Sequence, residues 1–152
     1  MDVYNRAFDD QSQIRICLET MAIDILFELI ERKDYELVWS FIPEYENSRN
    51  PFRERKLHIK SVSSMCKGII EPNDKIGIIA NRVMGGSNIR AKDALHLASA
   101  IYAECNYFIT CDDGLIKTIM GNYDKIGDIV GSIKLYNPLD FLRKEMDVNV
   151  IE

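Results

Sequence analysis

A chain of 152 residues with 47% hydrophobic and 28% charged side chains is long enough to bury a core as one domain, expected to span residues 1–152, and it shows no compositional mark of disorder. Its net charge of −5 argues against a protein that coats nucleic acid by bulk electrostatics, while an enzyme gripping phosphates through a metal ion and a local basic patch stays open. The longest nearly apolar run, 21–30, is interrupted by Asp24 and Glu28, so no membrane span is expected.

No basic stretch followed by an apolar one opens the sequence, and the four cysteines lack CxxC spacing; reduced thiols and a cytoplasmic location are expected. Asp2 to Asn5 reads as the tail of a strand. Asp10 and Gln13, three positions apart, fit a capping box for a helix reaching about Arg32. On that helix Leu18, Ala22, Ile25, Leu26 and Leu29 form the apolar stripe. Glu19, Asp24, Glu28 and Glu31 go to a solvated face. Tyr35 to Trp39 reads as a short strand, and 40–47 as a turn or short helix holding Glu44 and Glu46. Asn50-Pro51 pairs an N-cap with proline at the first helical position, starting a helix to about Cys66. After a brief extended piece at 68–71, Pro72 or Asn73 opens another helix. Gly85-Gly86 would close it through a left-handed C-cap.

The following helix carries Asp93 in its first turn. Ala91, Ala94, Leu95, Ala98, Ile101 and Tyr102 share one side, the small alanines predicting close packing, and Asp93, His96 and Ala100 share a neighbouring face. Tyr107 to Thr110 reads as a strand that empties into Asp112 and Asp113. A short helix over 114–120, a loop, a strand over 133–136 and a helix opened by Asn137-Pro138 complete the order. Helices alternating with short apolar strands predict an α/β fold with a parallel sheet, whose carboxyl edge is where such folds place ligands.

No phosphate-cradling glycine loop, nucleophile elbow or zinc-helix motif is present, and His58 and His96 are the only histidines. What remains is carboxylates at element ends: Asp2, Glu46, Asp93, Asp112 and Asp113. Converging carboxylates repel one another unless a hard cation neutralises them, and Mg²⁺ or Mn²⁺ suits oxygen ligands and activates bound water. Each residue also has a plainer role. A helix-start Asp caps, Asp112-Asp113 suits a turn, Glu46 suits solvent, and His96 suits a hydrogen-bonded, partly buried position. Spacing alone does not gather them into a site.

Several segments in this order resemble the PIN-domain family of metal-dependent ribonucleases, which includes VapC-type toxins. They are Lys92-Asp-Ala-Leu-His-Leu-Ala98, Tyr107-Phe-Ile-Thr-Cys-Asp-Asp113 and Ile133-Lys-Leu-Tyr-Asn-Pro138 with Phe141-Leu142, supported by residues 3–11 and 40–46. The resemblance covers nearly the whole chain and implies a three-layer α/β/α sandwich with a central parallel sheet. It also implies acids gathered at one end on Mg²⁺ or Mn²⁺. Glu46, Asp93 and Asp112 match the family's metal-binding acids, Thr110 matches the supporting hydroxyl residue, and Asp113 is the more variable neighbour. Asp2 stands two positions after the family's first acid. Either it substitutes imperfectly, or the first strand and its acid are truncated from this chain.

The resemblance implies hydrolysis of RNA phosphodiester bonds, with single-stranded or looped RNA as substrate because a paired groove is hard to reach. Arg49, Arg53, Lys56 and Lys60 are assigned to one face of the helix after Glu46 as RNA contacts, against the plainer reading of a solvated face. A cognate antitoxin and a homodimer are the further partners implied. The alternative is a catalytically impaired PIN-like module that binds RNA or a protein.

Overall fold

The structure, a computed structural model, describes residues 2–66 and 68–146. Its helices are α1 (Asp2–Asn5), α2 (Ile14–Glu31), α3 (Phe41–Ser48), α4 (Arg53–Ser63), α5 (Asp74–Gly86), α6 (Ala91–Tyr102), α7 (Asp113–Gly121), α8 (Tyr123–Val130) and α9 (Pro138–Phe141). A 3-10 turn at Arg6–Phe8 and a π-turn at Leu142–Met146 extend α1 and α9. The strands are β1 (Trp39–Ser40), β2 (Ile69–Ile70), β3 (Tyr107–Ile109) and β4 (Lys134–Tyr136).

The expected three-layer sandwich with a central parallel sheet is not formed. Among the described residues the four strands, of two or three residues each, make two separate parallel pairs, β1 with β2 and β3 with β4. The reason lies at the start of the chain, where residues 2–5 are helical rather than the tail of a strand. A helix spends its backbone hydrogen bonds on itself and offers no ladder to a neighbour. Helix α1 nevertheless touches both pairs. The Tyr4 ring lies 5.1 Å from that of Trp39 on β1, and the Asp2 carboxylate meets Thr110 and Cys111 beyond β3.

Helix packing therefore carries the core. Val83, Leu97, Ile119, Ile126 and Val130 join α5, α6, α7 and α8, with Leu135 of β4 beneath them. Ala94 and Ala98 of α6, both 0% exposed, meet Ile76 and Ala80 of α5; side chains this small let the two helices approach closely. A third cluster sets Trp39 against Ile59 and Val62 of α4.

Several local signals hold. Asn73 Oδ1 accepts from Ile76 N–H to open α5, and Asn137 Oδ1 accepts from Leu139 N–H to open α9 with Pro138 in its first turn. Others do not. Asp10 accepts from the backbone N–H and hydroxyl of Ser12 in a local turn, leaving Gln13 as an N-cap without a side-chain bond. Asn50 accepts from Phe52 N–H, so Pro51 sits in an Asx turn and α4 starts at Arg53. Gly85 and Gly86 lie inside α5; the one glycine with positive φ among the described residues is Gly131. The segment expected to be a loop after α7 contains the amphipathic helix α8, with Ile126 and Val130 buried. On α2, Glu19 is 1% exposed while Leu18 and Ile25, expected inside, are 45% and 44% exposed.

No helix of the described residues is long and apolar enough to cross a membrane, as the sequence indicated. The four cysteines are free thiols, also as expected.

Candidate functional site

A cavity of about 780 Å³, bordered by Ser40 of β1 and by β3, has a lining that includes Asp2, Glu46, Asp93 and Asp112, together with His96 and Thr110. Four separate stretches of chain deliver the acids. Asp2 opens α1, Glu46 lies on α3, Asp93 is in the first turn of α6, and Asp112 follows β3 as the N-cap of α7. Arg90 and Lys92 line the same cavity. The four acids assigned from the sequence thus share one space.

Each is held differently. Asp2 Oδ2 accepts from the Thr110 hydroxyl at 2.9 Å and from Cys111 N–H at 3.0 Å. The Thr110 hydroxyl oxygen accepts in turn from Asp112 N–H at 3.1 Å, so this 5%-exposed residue ties the start of the chain to the end of β3. Asp112 Oδ1 accepts from Leu115 N–H at 3.0 Å, the helix cap of the plainer reading, while its other oxygen makes no hydrogen bond among the described residues. Asp93 Oδ2 lies 3.6 Å from the Arg90 guanidinium.

Glu46 Oε1 and His96 Nε2 are 2.9 Å apart. An ionised carboxylate only accepts, so Nε2 carries the hydrogen. Burial by itself would raise the Glu46 carboxyl, but the His96 hydrogen bond and nearby positive charge, Lys92 included, outweigh it and hold the group below its ordinary range. Spacing on α6 had put His96 beside Asp93; what it did not indicate was that His96 belongs to Glu46.

Two neighbours fall outside the chemistry. Asp113 forms an ion pair with Arg15 of α2, which ties the start of α7 to that helix. Burial, helped by the Asp2 charge, pushes the Cys111 thiol up to about 12, so it stays protonated and is no nucleophile at neutral pH.

The basic face needs correcting. Arg49 is the C-cap of α3 rather than a member of α4, so Arg49, Arg53, Lys56 and Lys60 do not form one helix face. Lys56 Nζ donates to the Ser48 carbonyl at 3.4 Å. The cations that accompany Glu46 in a pocket are instead Arg49, Arg55 and Lys92.

The donor set has the chemistry of a hard divalent cation: oxygen ligands with no thiolate, and unpaired oxygens on Glu46, Asp93 and Asp112 among the described residues. Its arrangement is looser than its chemistry, since among the described residues no three His, Cys, Asp or Glu side chains are gathered closely enough to hold an ion. Comparison with protein-family models, curated proteins and solved structures gave no match.

Proposed function

We propose that this chain resembles the PIN-domain family in function and is a metal-dependent endoribonuclease, hydrolysing RNA phosphodiester bonds at the acid-lined cavity. The observation that carries the reading is the convergence of Asp2, Glu46, Asp93 and Asp112, from four distant stretches of chain, on one space. Carboxylates that close on one another favour a bound cation, and these four would have to draw nearer than they stand to share one. Glu46, Asp93 and Asp112 would hold Mg²⁺ or Mn²⁺, with Asp2 as a fourth carboxylate. Once bound, such an ion lowers the pKa of a water and neutralises charge developing on phosphate.

The chain's own residues set the stage for that chemistry. Thr110 and Cys111 fix one Asp2 oxygen, and the α7 cap fixes one Asp112 oxygen, leaving the other toward solvent. His96 positions Glu46 and keeps it ionised. Lys92, whose charge already acts on Glu46, supplies positive charge for a phosphate beside them.

A second reading is favoured by the spacing of the same acids. A binding module for RNA or a protein, without catalysis, needs no gathered ligand set. The two part on a single experiment. Mn²⁺ is titrated by electron paramagnetic resonance, and single-stranded RNA is incubated with Mn²⁺, Mg²⁺ or EDTA, for the wild type and Asp93→Asn. The nuclease reading expects Mn²⁺ binding, metal-dependent cleavage and loss of both in the variant. Mn²⁺ that neither binds nor supports cleavage, with an unaltered variant, leaves the binding module. A toxin role with a cognate antitoxin, and a homodimer, extend the first reading. Co-purification with the product of a neighbouring small reading frame and sedimentation of the purified chain test them.

A further inference from the structure

Beside the acid-lined cavity lies a smaller pocket of about 370 Å³, within the ~300–1,000 Å³ range of small-ligand sites. Its lining includes Tyr45, Glu46, Arg49, Phe52, Arg55 and Lys92. Three cations thus surround one carboxylate in a chain whose net charge is −5. Two aromatic rings are presented there rather than packed away: Tyr45 is 57% exposed and Phe52 is 58% exposed. Each carries a guanidinium, with Arg49 5.3 Å from the Tyr45 centroid and Arg55 4.8 Å from that of Phe52.

The presentation is built. Asn50 Oδ1 accepts from Phe52 N–H and shapes the turn that carries the ring. Arg55 donates to the Phe8 carbonyl at 3.3 Å and lies 5.4 Å from the Phe8 ring centroid, which anchors its guanidinium. Glu46 and Lys92 line both this pocket and the larger cavity, so the two are contiguous.

We propose that this pocket is a base-stacking subsite for single-stranded RNA. An unpaired base lies against Tyr45 or Phe52, and the adjoining phosphates meet Arg49, Arg55 and Lys92 while the strand continues past Glu46 into the acid-lined cavity. A nucleotide supplies from one residue both things the pocket asks for, a flat apolar face and an anion. A protein partner would have to bring separate carboxylates and flat side chains to the same few ångströms. Aromatic faces accept every base, so the subsite selects unpaired strand rather than sequence, and duplex RNA, whose bases are stacked on one another, is disfavoured. The choice of RNA as the strand rests on the ribonuclease reading; the stacking does not depend on catalysis.

The test is binding in EDTA, where no metal-dependent cleavage occurs. Fluorescence anisotropy of a short labelled oligouridylate is followed for the wild type, Tyr45→Ala, Phe52→Ala and Arg49→Ala, with a labelled duplex of equal length alongside. Circular dichroism verifies folding, which the exposure of both rings protects. The expected result is weaker binding by roughly 5-fold or more for each lost ring. Arg49→Ala should show a shallower salt dependence, and the duplex should bind more weakly than the single strand. A 5-iodouridine oligonucleotide should cross-link within residues 45–55. Wild-type affinity in both ring variants, equal affinity for duplex, or no RNA binding in EDTA overturns the subsite. Ring-dependent binding without cleavage in Mn²⁺ sinks the ribonuclease reading and leaves the subsite. Cleavage with ring-independent binding sinks the subsite alone.

Discussion

Thr110 donates its hydroxyl hydrogen to Asp2 Oδ2 at 2.9 Å across 108 positions of sequence, and its own hydroxyl oxygen accepts from Asp112 N–H two residues on. One nearly buried hydroxyl therefore sets the position of two of the four acids around the cavity. Both contacts are lost in Thr110→Val, which keeps the shape of the side chain. The expected cost is about 1–3 kcal/mol of unfolding free energy, the range for leaving a buried polar group without its partner. Thr110→Ser keeps the hydroxyl and should stay close to the wild type. Urea unfolding of the three proteins decides it, and equal stability for Val and Ser would show that the hydroxyl carries no net energy.

Glu19 is the most deeply buried carboxylate described, and its partners come from both ends of the chain. Asn137 Nδ2 donates to it at 2.5 Å, and the Arg6 and Arg15 guanidiniums lie 3.5 and 3.7 Å away. Glu19→Ala strands Asn137 and leaves Arg6 with Asp9, 2.9 Å away, as its remaining acid, and breaking a buried pair of this kind costs about 3–5 kcal/mol. The lower end is expected, because Arg15 is 60% exposed and returns to water. Asn137→Ala loses the same hydrogen bond along with the α9 cap, so the double variant should cost less than the two singles added together. Additive losses in thermal or urea unfolding would mean that the two residues act independently.

The Glu46–His96 contact ties stability to acid. The folded Glu46 carboxyl is held below its ordinary value of 4.5, so its contribution is fully present above that pH and is lost as the pH falls through the depressed folded value. His96→Ala removes the hydrogen bond that opposes burial and leaves Glu46 desolvated. Two changes are expected: lower stability near neutral pH, and a flatter decline on acidification below 4.5. Urea unfolding of both proteins at one pH above 4.5 and one well below reads this directly. Parallel declines would place the acid sensitivity on other carboxylates.

The same residues show what was legible in the sequence. Asn73 and Asn137 act through their own neighbours, so a short window contains the whole interaction and the helix starts were read correctly. The four acids at element ends line one cavity, since a position at an element end does not depend on how the strands pair. The sheet was misread because strands of two or three residues carry little pattern, and whether they unite depends on residues 2–5, which form a helix. Helix α2 was misread because it is apolar around much of its circumference. Periodicity offers two rows there, and Arg6 and Asn137 choose the one containing Glu19. The Glu46–His96 contact spans 50 positions, and nothing in either local pattern foretells it. Tyr45, Phe52 and Arg55 give no signal of their own because an exposed ring beneath a guanidinium looks, in sequence, like any amphipathic turn.

Gly85 and Gly86 separate a local requirement from a tertiary one. Neither has the positive φ of a left-handed cap, so neither is glycine for its backbone. A Cβ at Gly85 would meet nothing within 4 Å, whereas one at Gly86 would lie 2.3 Å from Ile126 Cγ2 and 3.5 Å from Lys125 Cβ. Ile126 is 2% exposed and locked among Val83, Ile119 and Val130, so it has nowhere to swing. Gly85→Ala should therefore stabilise by about 0.5 kcal/mol, the usual gain of alanine over glycine in a helix. Gly86→Ala should destabilise by about 1–3 kcal/mol, the cost of forcing extra volume into a packed interior, which outweighs the same helical gain. The cause is separable from helix propensity. In an Ile126→Ala background the blocking methyl is gone, and Gly86→Ala should then cost much less than in the wild type. An unchanged penalty there would move the requirement for glycine from the α5–α8 contact to the helix end itself.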